Sequence, residues 1–436
     1  MKLTRRRAMG AAAAALAAPK TVAAQNAREL RHIPHADVAI LDPVWTTADI
    51  TRNHGNMVYD QLFGLDEGYA PHPQMLAGFT TSADGLTWDL TLRDGLKFHD
   101  GEKVLARDCA QSIDRWSKRD PFGTALGARA NEIAAVSDSV LRIRLKTPFA
   151  LLPVGSVTCL FGSVCARRWT YQADAATAAA ALAKGEHDWW ELPTNDLVPL
   201  LKRDKNITVE VKNTMGSVGC LRFNHLFPPF DNPKIRQLVL SAIDQRDCME
   251  AVSSPDYYAL KQGLFTRGMP MANDAGTEAL TARKDFAQLK KDLYAAGYKG
   301  EKIVLMGPTT IPVLHFQSQV VDDLLRKMGF EVDYQALEWG TVVQRRASKE
   351  PPEKGGWHIF ITNLTSLTNV FLPAHIGIRS GPAAWFGWPD APKLEELRDA
   401  WLNASNAEEQ KAIARKLQVQ MFEDVPEGNK VMRCFW

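Results

Sequence analysis

Residues 303–337 constrain the fold more tightly than any other stretch of this 436-residue chain. Ile303 to Met306 is a short apolar run of strand character. Gln317 to Met328 then sets Val320, Val321, Leu324 and Leu325 on one helical face and ends at Gly329, and Glu331 to Leu337 returns to strand. A strand, a helix and a strand at that spacing make a βαβ unit, which requires a locally parallel sheet with a helix packed on it.

Hairpins and helices fill the remainder. Asp84 to Leu92 alternates behind an Asp-Gly turn, Arg93-Asp94-Gly95 makes a second turn, and Leu96 to Gly101 reads as another short strand. Ala106 to Ser117 puts Cys109, Ile113 and Trp116 at helical spacing with Asp108 in the first turn, and Val140 to Lys146 is an amphipathic strand. Ala173 to Leu182 reads as a helix that stops at Gly185, and Ile207 to Val211 and Cys220 to Asn224 read as strands. Asp231-Asn232-Pro233 caps a helix from Lys234 to about Ile243, with proline in the first turn. Further helices are expected over Lys284 to Ala296, Lys393 to Trp401 and, behind a Ser405 or Asn406 cap, Ala407 to Phe422. The length suits two to three domains, and no internal repeat is present.

The formal charge of +2 conceals an uneven distribution. Lys2, Arg5, Arg6, Arg7 and Lys20 lie in the first 24 positions, which hold no acid; the remaining chain carries 47 basic against 50 acidic residues. That balance argues against nucleic-acid binding, which needs a basic face to neutralise phosphates. The arginine run followed by an alanine-rich stretch and Val22-Ala23-Ala24 is expected to be an export signal of twin-arginine type, cleaved near Ala24. The apolar stretch is too short to span a bilayer. Six cysteines (Cys109, Cys159, Cys165, Cys220, Cys248 and Cys434) show neither CxxC pairs nor zinc spacing, so scattered thiols are expected, with at most one bridge.

Three runs resemble one family. Leu92-Arg93-Asp94-Gly95-Leu96-Lys97-Phe98-His99-Asp100-Gly101 resembles the signature hairpin of the family 5 extracellular solute-binding proteins, the dipeptide, oligopeptide and nickel binders of ABC importers. Phe223-Asn224-His225 with Pro229 to Gln237, and the small-residue helix Ala178 to Trp190 with its Gly-Glu-x-Asp element, resemble it as well. The resemblance implies an α/β clamp of two lobes with an extra N-terminal subdomain, which captures a peptide-like or other small solute in the periplasm for a membrane permease. It implies lobe one over 25–222, lobe two over 223–425, and Cys220 to Asn224 crossing between them. Two departures stand out. Tens of residues of lobe-one sheet are absent between Pro153 and Ala173, so lobe one is expected to be reduced. The stretch 426–436 does not resemble the returning hinge strand and is expected to be a divergent tail.

In the resembling family the opening segment reaches the cleft, which makes Trp45, Asn53 and His54 candidates; Asn224 ends the crossing strand. Trp357 and Trp385 stand among small residues and could offer apolar contact at little entropic cost, with Trp388 beside them. Peptide binders of the family hold the ligand's amino group with an acid of the later lobe. Here Lys354 to Pro389 contains no Asp or Glu, and Thr362-Asn363-Leu364-Thr365 occupies the neighbourhood, so a neutral, anionic or modified ligand is expected, with Asn363 as a contact. Arg379 is a candidate for a ligand carboxylate, whereas Arg345 and Arg346 read as solvated surface and Trp189 and Trp190 as lobe-one packing. His32 and His35 read as an exposed pair, and His99 and Asp100 as parts of a turn. No GxSxG, GxGxxG, P-loop or HExxH motif occurs; Gly216-Ser217-Val218-Gly219 lacks the glycine two before its serine. A monomeric binding protein without catalysis, cofactor or metal is therefore expected. The alternatives are an exported hydrolase of unknown type and a degenerate relative that no longer binds.

Overall fold

The computed structural model describes residues 29–46, 48–66, 71–149, 152–153, 167–172, 174–212, 216–265, 268, 270–280, 284–365, 379–381, 384–404, 406–424 and 428–434. The expected export signal, Cys159, Cys165 and Ser405 lie outside these residues.

The first half builds three small sheets. Strand β1 (Leu30–Ile33) is followed by helix α1 (Asp49–Val58), the ribbon β2 (Phe63–Leu65) and β3 (Pro71–Pro73), and the strands β4 (Leu76–Thr81) and β5 (Thr87–Leu92). Helices α2 (Ala106–Ser117) and α3 (Pro121–Arg129) precede β6 (Ala130–Ala135) and β7 (Val140–Leu145), then come β8 (Arg167–Trp169), α4 (Ala175–Ala183), β9 (Trp189–Trp190) and α5 (Val198–Leu201). Strands 4, 5, 7 and 6 make an antiparallel sheet in that order. Their alternation buries Leu90, Leu141 and Ile143 against Cys109, Ile113 and Trp116 of α2, as period 2 facing period 3.6 requires. Asp108 accepts from the Leu105 N–H (2.9 Å), and Asp120 accepts from Phe122 and Gly123, so both helices begin on an acidic side chain. The expected strand over Leu96 to Gly101 shrinks to one antiparallel bridge, Lys97 with Lys103, around a tight turn closed by Phe98 N–H to Glu102 O (2.8 Å) and Val104 N–H to Leu96 O (3.1 Å). Two glycines at positive φ, Gly95 and Gly101, take the backbone out of a ladder there.

The sheet of β8, β1 and β9 is all parallel and has only three strands among the described residues. The expected strand over 207–211 has no ladder partner among the described residues.

The second half is one larger sheet. It begins with β10 (Ser217–Phe223), α6 (Pro233–Ala242), α7 (Gln245–Glu250) and β11 (Tyr258–Gln262). It continues through α8 (Phe286–Ala295), β12 (Lys302–Pro308), α9 (Pro312–Met328), β13 (Glu331–Leu337), α10 (Trp339–Arg345) and β14 (Ile359–Thr365). Helices α11 (Pro392–Leu402) and α12 (Ala407–Asp424) lead to β15 (Gly428–Cys434). The strand order is 11-15-10-14-12-13, and β12 and β13 pair in parallel in unbroken register from Lys302↔Glu331 to Pro308↔Leu337. This is the βαβ unit, with α9 ended by Gly329 at φ 99°.

The two faces of this sheet separate by residue parity. Ile303, Leu305, Ile359 and Ile361 face the helices, while Val304, Met306 and Phe360 form a second cluster with Val342, Trp357 and Trp385. The expectation of a divergent tail is corrected at 428–434. These residues form β15, which pairs antiparallel with both β10 and β11, so β10 is fully buried between two neighbours.

Candidate functional site

A cavity of about 1330 Å³ opens between the first-half elements and the face of the large sheet that carries the second cluster. Its first wall is built from β1, α1 and β9. Glu191 follows β9 and is fixed by its own N–H to Ile33 O (3.0 Å). Its carboxylate accepts from the His35 backbone N–H (3.1 Å), the His35 Nδ1–H (2.9 Å) and Asn53 Nδ2 (2.8 Å). Burial opposes charge on both partners. For His35 the Glu191 hydrogen bond and the charges of Glu191 and Asp49 outweigh it and hold the ring above its ordinary value; for Glu191 the His35 contacts hold the carboxyl below its own. Asp49 opens α1, where the Thr51 hydroxyl anchors the helix on Ile40 O (2.7 Å). Burial pushes the Asp49 carboxyl above the usual carboxylate range, against the pull of Arg52, His35 and Arg346.

The opposite wall holds Trp339, Arg346, Thr362, Asn363, Leu364 and Trp385. Arg346 caps α10 and is 2% exposed, correcting the reading of this residue as solvated surface. Four aromatic rings surround its guanidinium, at 4.8 Å for Phe386, 5.2 Å for Trp385, 5.7 Å for Trp339 and 6.0 Å for Phe360. Burial lowers the group to about 9, opposed by the charge of Asp49, so it remains a cation at neutral pH. Trp385 hangs on a loop strapped to the end of β10: Arg222 Nε donates to Phe386 O (2.5 Å) and His225 N–H to Gly387 O (2.8 Å). Gly387 sits at φ 99°, and a Cβ there would lie 2.2 Å from Phe223 O, so only glycine allows this approach.

Of the eight residues singled out from sequence, Asn53, Asn363 and Trp385 line the cavity. The other five lie elsewhere. Trp45 is 58% exposed with Arg119 stacked on it at 4.1 Å, and His54 packs edge-on against Trp169 at 5.6 Å. Asn224 is buried and donates to Trp357 O (2.9 Å); Trp357 is buried against Phe360. Arg379 is half-buried in the field of Arg398 and Glu395. Arg345 braces the 355–356 turn through bonds to Gly355 O (2.7 Å) and Gly356 O (2.8 Å).

Besides Arg346, sequence reasoning missed His35, Asp49, Trp189, Glu191 and Trp339 among the residues of the two walls. The reading of His32 and His35 as an exposed pair is corrected. His32 is 1% exposed and stacks on Trp189 at 4.3 Å, while His35 faces the cavity. Trp189 is not interior packing but a cavity-lining ring, 41% exposed. Cys109, Cys220 and Cys248 are buried, and no cluster of three or more metal-ligating side chains occurs among the described residues.

A two-lobed α/β body with a polar and aromatic cleft between its halves is the architecture of a ligand-capturing clamp. Comparison with known proteins specifies it further. The model of bacterial extracellular solute-binding proteins, family 5 Middle, matches residues 70–165 and 167–369. A probable peptide ABC transporter periplasmic-binding protein of Sinorhizobium fredii is 32% identical, covering 96% of this chain and 91% of the relative. That alignment runs over 486 positions, more than the 436 residues present, so the relative carries stretches that this chain lacks. A glutathione-binding protein of Pectobacterium atrosepticum is 24% identical over 88% of the chain and 85% of the relative. Among solved structures, a dipeptide-binding protein of Pseudoalteromonas sp. SM9913 in complex with Met-Leu superposes with TM-score 0.79 at 18% identity, covering 93% of this chain and 94% of that one. An A. tumefaciens R10 protein in complex with agropinic acid gives 0.78 at 15% identity, covering 94% and 91%. The chain belongs to the family 5 bacterial extracellular solute-binding proteins, the periplasmic solute-binding components of ABC importers.

Proposed function

We propose that this clamp captures a small solute bearing a carboxylate, closes on it without changing it, and hands it to the permease of an ABC importer. The observation that carries the reading is Arg346, a buried cation at the cavity wall in a cage of four aromatic rings. A guanidinium so placed presents a fixed positive charge to a carboxylate on a dry surface. The Trp385 indole N–H and Asn363 Oδ1, both buried without a hydrogen-bond partner, border the same space and would complete the solute's contacts. The relatives support peptide-like solutes, since their names specify peptides, glutathione, a dipeptide and agropinic acid. On this reading residues 1–24 direct export and are removed, lobe one spans 25–222, and lobe two spans 223–425 with β15 returning to its sheet. The protein acts as a monomer.

Thermal melting with Met-Leu, glutathione, agropinic acid and simple dicarboxylates tests the proposal. At 100 times its Kd a bound solute adds about 2.7 kcal/mol of stability, and it is recovered chemically unchanged. Arg346→Gln abolishes the shift. A solute that binds equally well to Arg346→Gln refutes the carboxylate assignment, and one recovered as product refutes the non-catalytic reading.

A further inference from the structure

We propose that Tyr171 is a latch residue: its hydroxyl holds the two halves shut beside the cleft and so sets the affinity for every solute without touching any. This rests on the two halves closing as a clamp. Tyr171 follows β8 in the first half, where the Thr170 N–H donates to His32 O (3.0 Å) and ties the stretch to β1. The Tyr171 hydroxyl crosses to the second half and donates to Thr310 O at 2.7 Å. Thr310 lies between β12 and α9, and its surroundings are stapled to the end of β13: the Thr309 N–H donates to Leu337 O (2.8 Å) and the Trp339 N–H to Thr310 Oγ1 (3.1 Å). Burial, with the charges of Asp37 in one half and Glu338 in the other, holds the phenol above its ordinary value despite the Thr310 bond, so it stays a donor at neutral pH. Trp339 lines the cavity, whereas neither Tyr171 nor Thr310 does.

The bond has a counterpart. Asn195 Nδ2 donates to Val252 O, and Lys202 Nζ donates to the Tyr257 hydroxyl at 2.8 Å, again from the first half to the second. In the strand order 11-15-10-14-12-13, Val252 and Tyr257 lead into β11 and Thr310 leaves β12. Both places are two strands from β10, about 10 Å away on opposite sides, and β10 is where the chain enters the second half. Rocking of one half on the other must therefore part at least one of these contacts. All of them join protein to protein, so what they add to the shut position is the same for every solute. Losing one lowers the population of that position and weakens all solutes by a common factor. For a single neutral hydrogen bond the factor is about two- to tenfold.

Tyr171→Phe keeps the ring and removes the latch. Calorimetry and stopped-flow fluorescence with Met-Leu and with glutathione are expected to show both solutes weakened by one factor, about two- to tenfold, with the loss appearing as faster release. Solution scattering accompanies them, on both proteins with and without each solute. Affinities and release rates equal to those of the unmodified protein, whatever the change in melting temperature, overturn the latch; they leave the clamp standing if the radius of gyration still falls on binding. Weakening of one solute but not the other also overturns it, because that marks a residue in contact with solute. Binding that leaves the unmodified protein's radius unchanged removes clamp and latch together. Should neither solute bind, the unliganded proteins decide: a larger radius for Tyr171→Phe supports the latch, and equal radii overturn it.

Discussion

Replacing His358 with asparagine is expected to change how the stability of lobe two depends on pH. The His358 ring is buried between two partners. The Val304 N–H donates to Nδ1 at 2.9 Å, so that nitrogen carries a lone pair, and Nε2 donates to Pro228 O at 3.0 Å. Both nitrogens are satisfied by the neutral ring, and a second proton would face the Val304 N–H. Burial accordingly lowers the group from 6.5 to about 4, against the raising effect of the Pro228 bond. The folded value lies below the unfolded one, so between pH 6.5 and 4 the unfolded chain binds the extra proton. Stability is complete above pH 6.5 and falls as pH drops toward 4. The gap corresponds to about 3 kcal/mol, a large share of the ~5–15 kcal/mol that holds a typical domain. Asparagine keeps an acceptor near the Nδ1 position and cannot titrate. Urea unfolding of both proteins at several pH values from 4 to 7 should give a wild-type free energy that drops by about 3 kcal/mol more than that of His358→Asn. The variant's lower stability at pH 7 is immaterial, because the slope is the readout. Parallel slopes would refute the neutral-ring argument.

Two other perturbations follow from the site. Gly387→Ala places a methyl group against Phe223 O at a positive φ, so it should destabilise the protein by about 1–3 kcal/mol and weaken solute binding by displacing Trp385; denaturant melts and calorimetry check both effects, and unchanged binding would contradict the strap. His35→Gln should cost roughly 1.5–3 kcal/mol, with the largest difference from wild type between pH 4.5 and 6.5. The raised His35 contributes below 6.5 and is lost as pH rises through its folded value, while the lowered Glu191 contributes above 4.5 and is lost as pH falls through its own. A difference that grows above pH 6.5 in unfolding experiments would contradict the pair.

Much of the fold is written locally. Helices α2 and α6 and the βαβ unit carry their own stops and starts, such as Asn232-Pro233 and Gly329, and they form within two residues of the expected limits, apart from an additional first turn on α9. The strand β15 is different, because its role depends on pairing with β10 some two hundred residues earlier, and nothing within Gly428–Cys434 specifies that. Helix α1 escaped notice since Asp-Ile-Thr-Arg-Asn-His-Gly-Asn-Met-Val buries only Ile50, Thr51 and Gly55, too few to show a period. With it went Asp49. Arg346 was misplaced for a similar reason: beside Arg345 it looks like surface, and only the meeting of Trp339, Phe360, Trp385 and Phe386 makes a buried place for it. Trp385 and Asn363 were legible because small neighbours and the absence of nearby acids marked their stretch as unlike a core.

The central claim is mechanical, and solution scattering addresses it directly. The radius of gyration of the protein should fall when a saturating solute, identified by its melting shift, is added, and it should not fall for Arg346→Gln. A solute that binds tightly while the scattering curve stays unchanged would show that the two halves do not shut upon it.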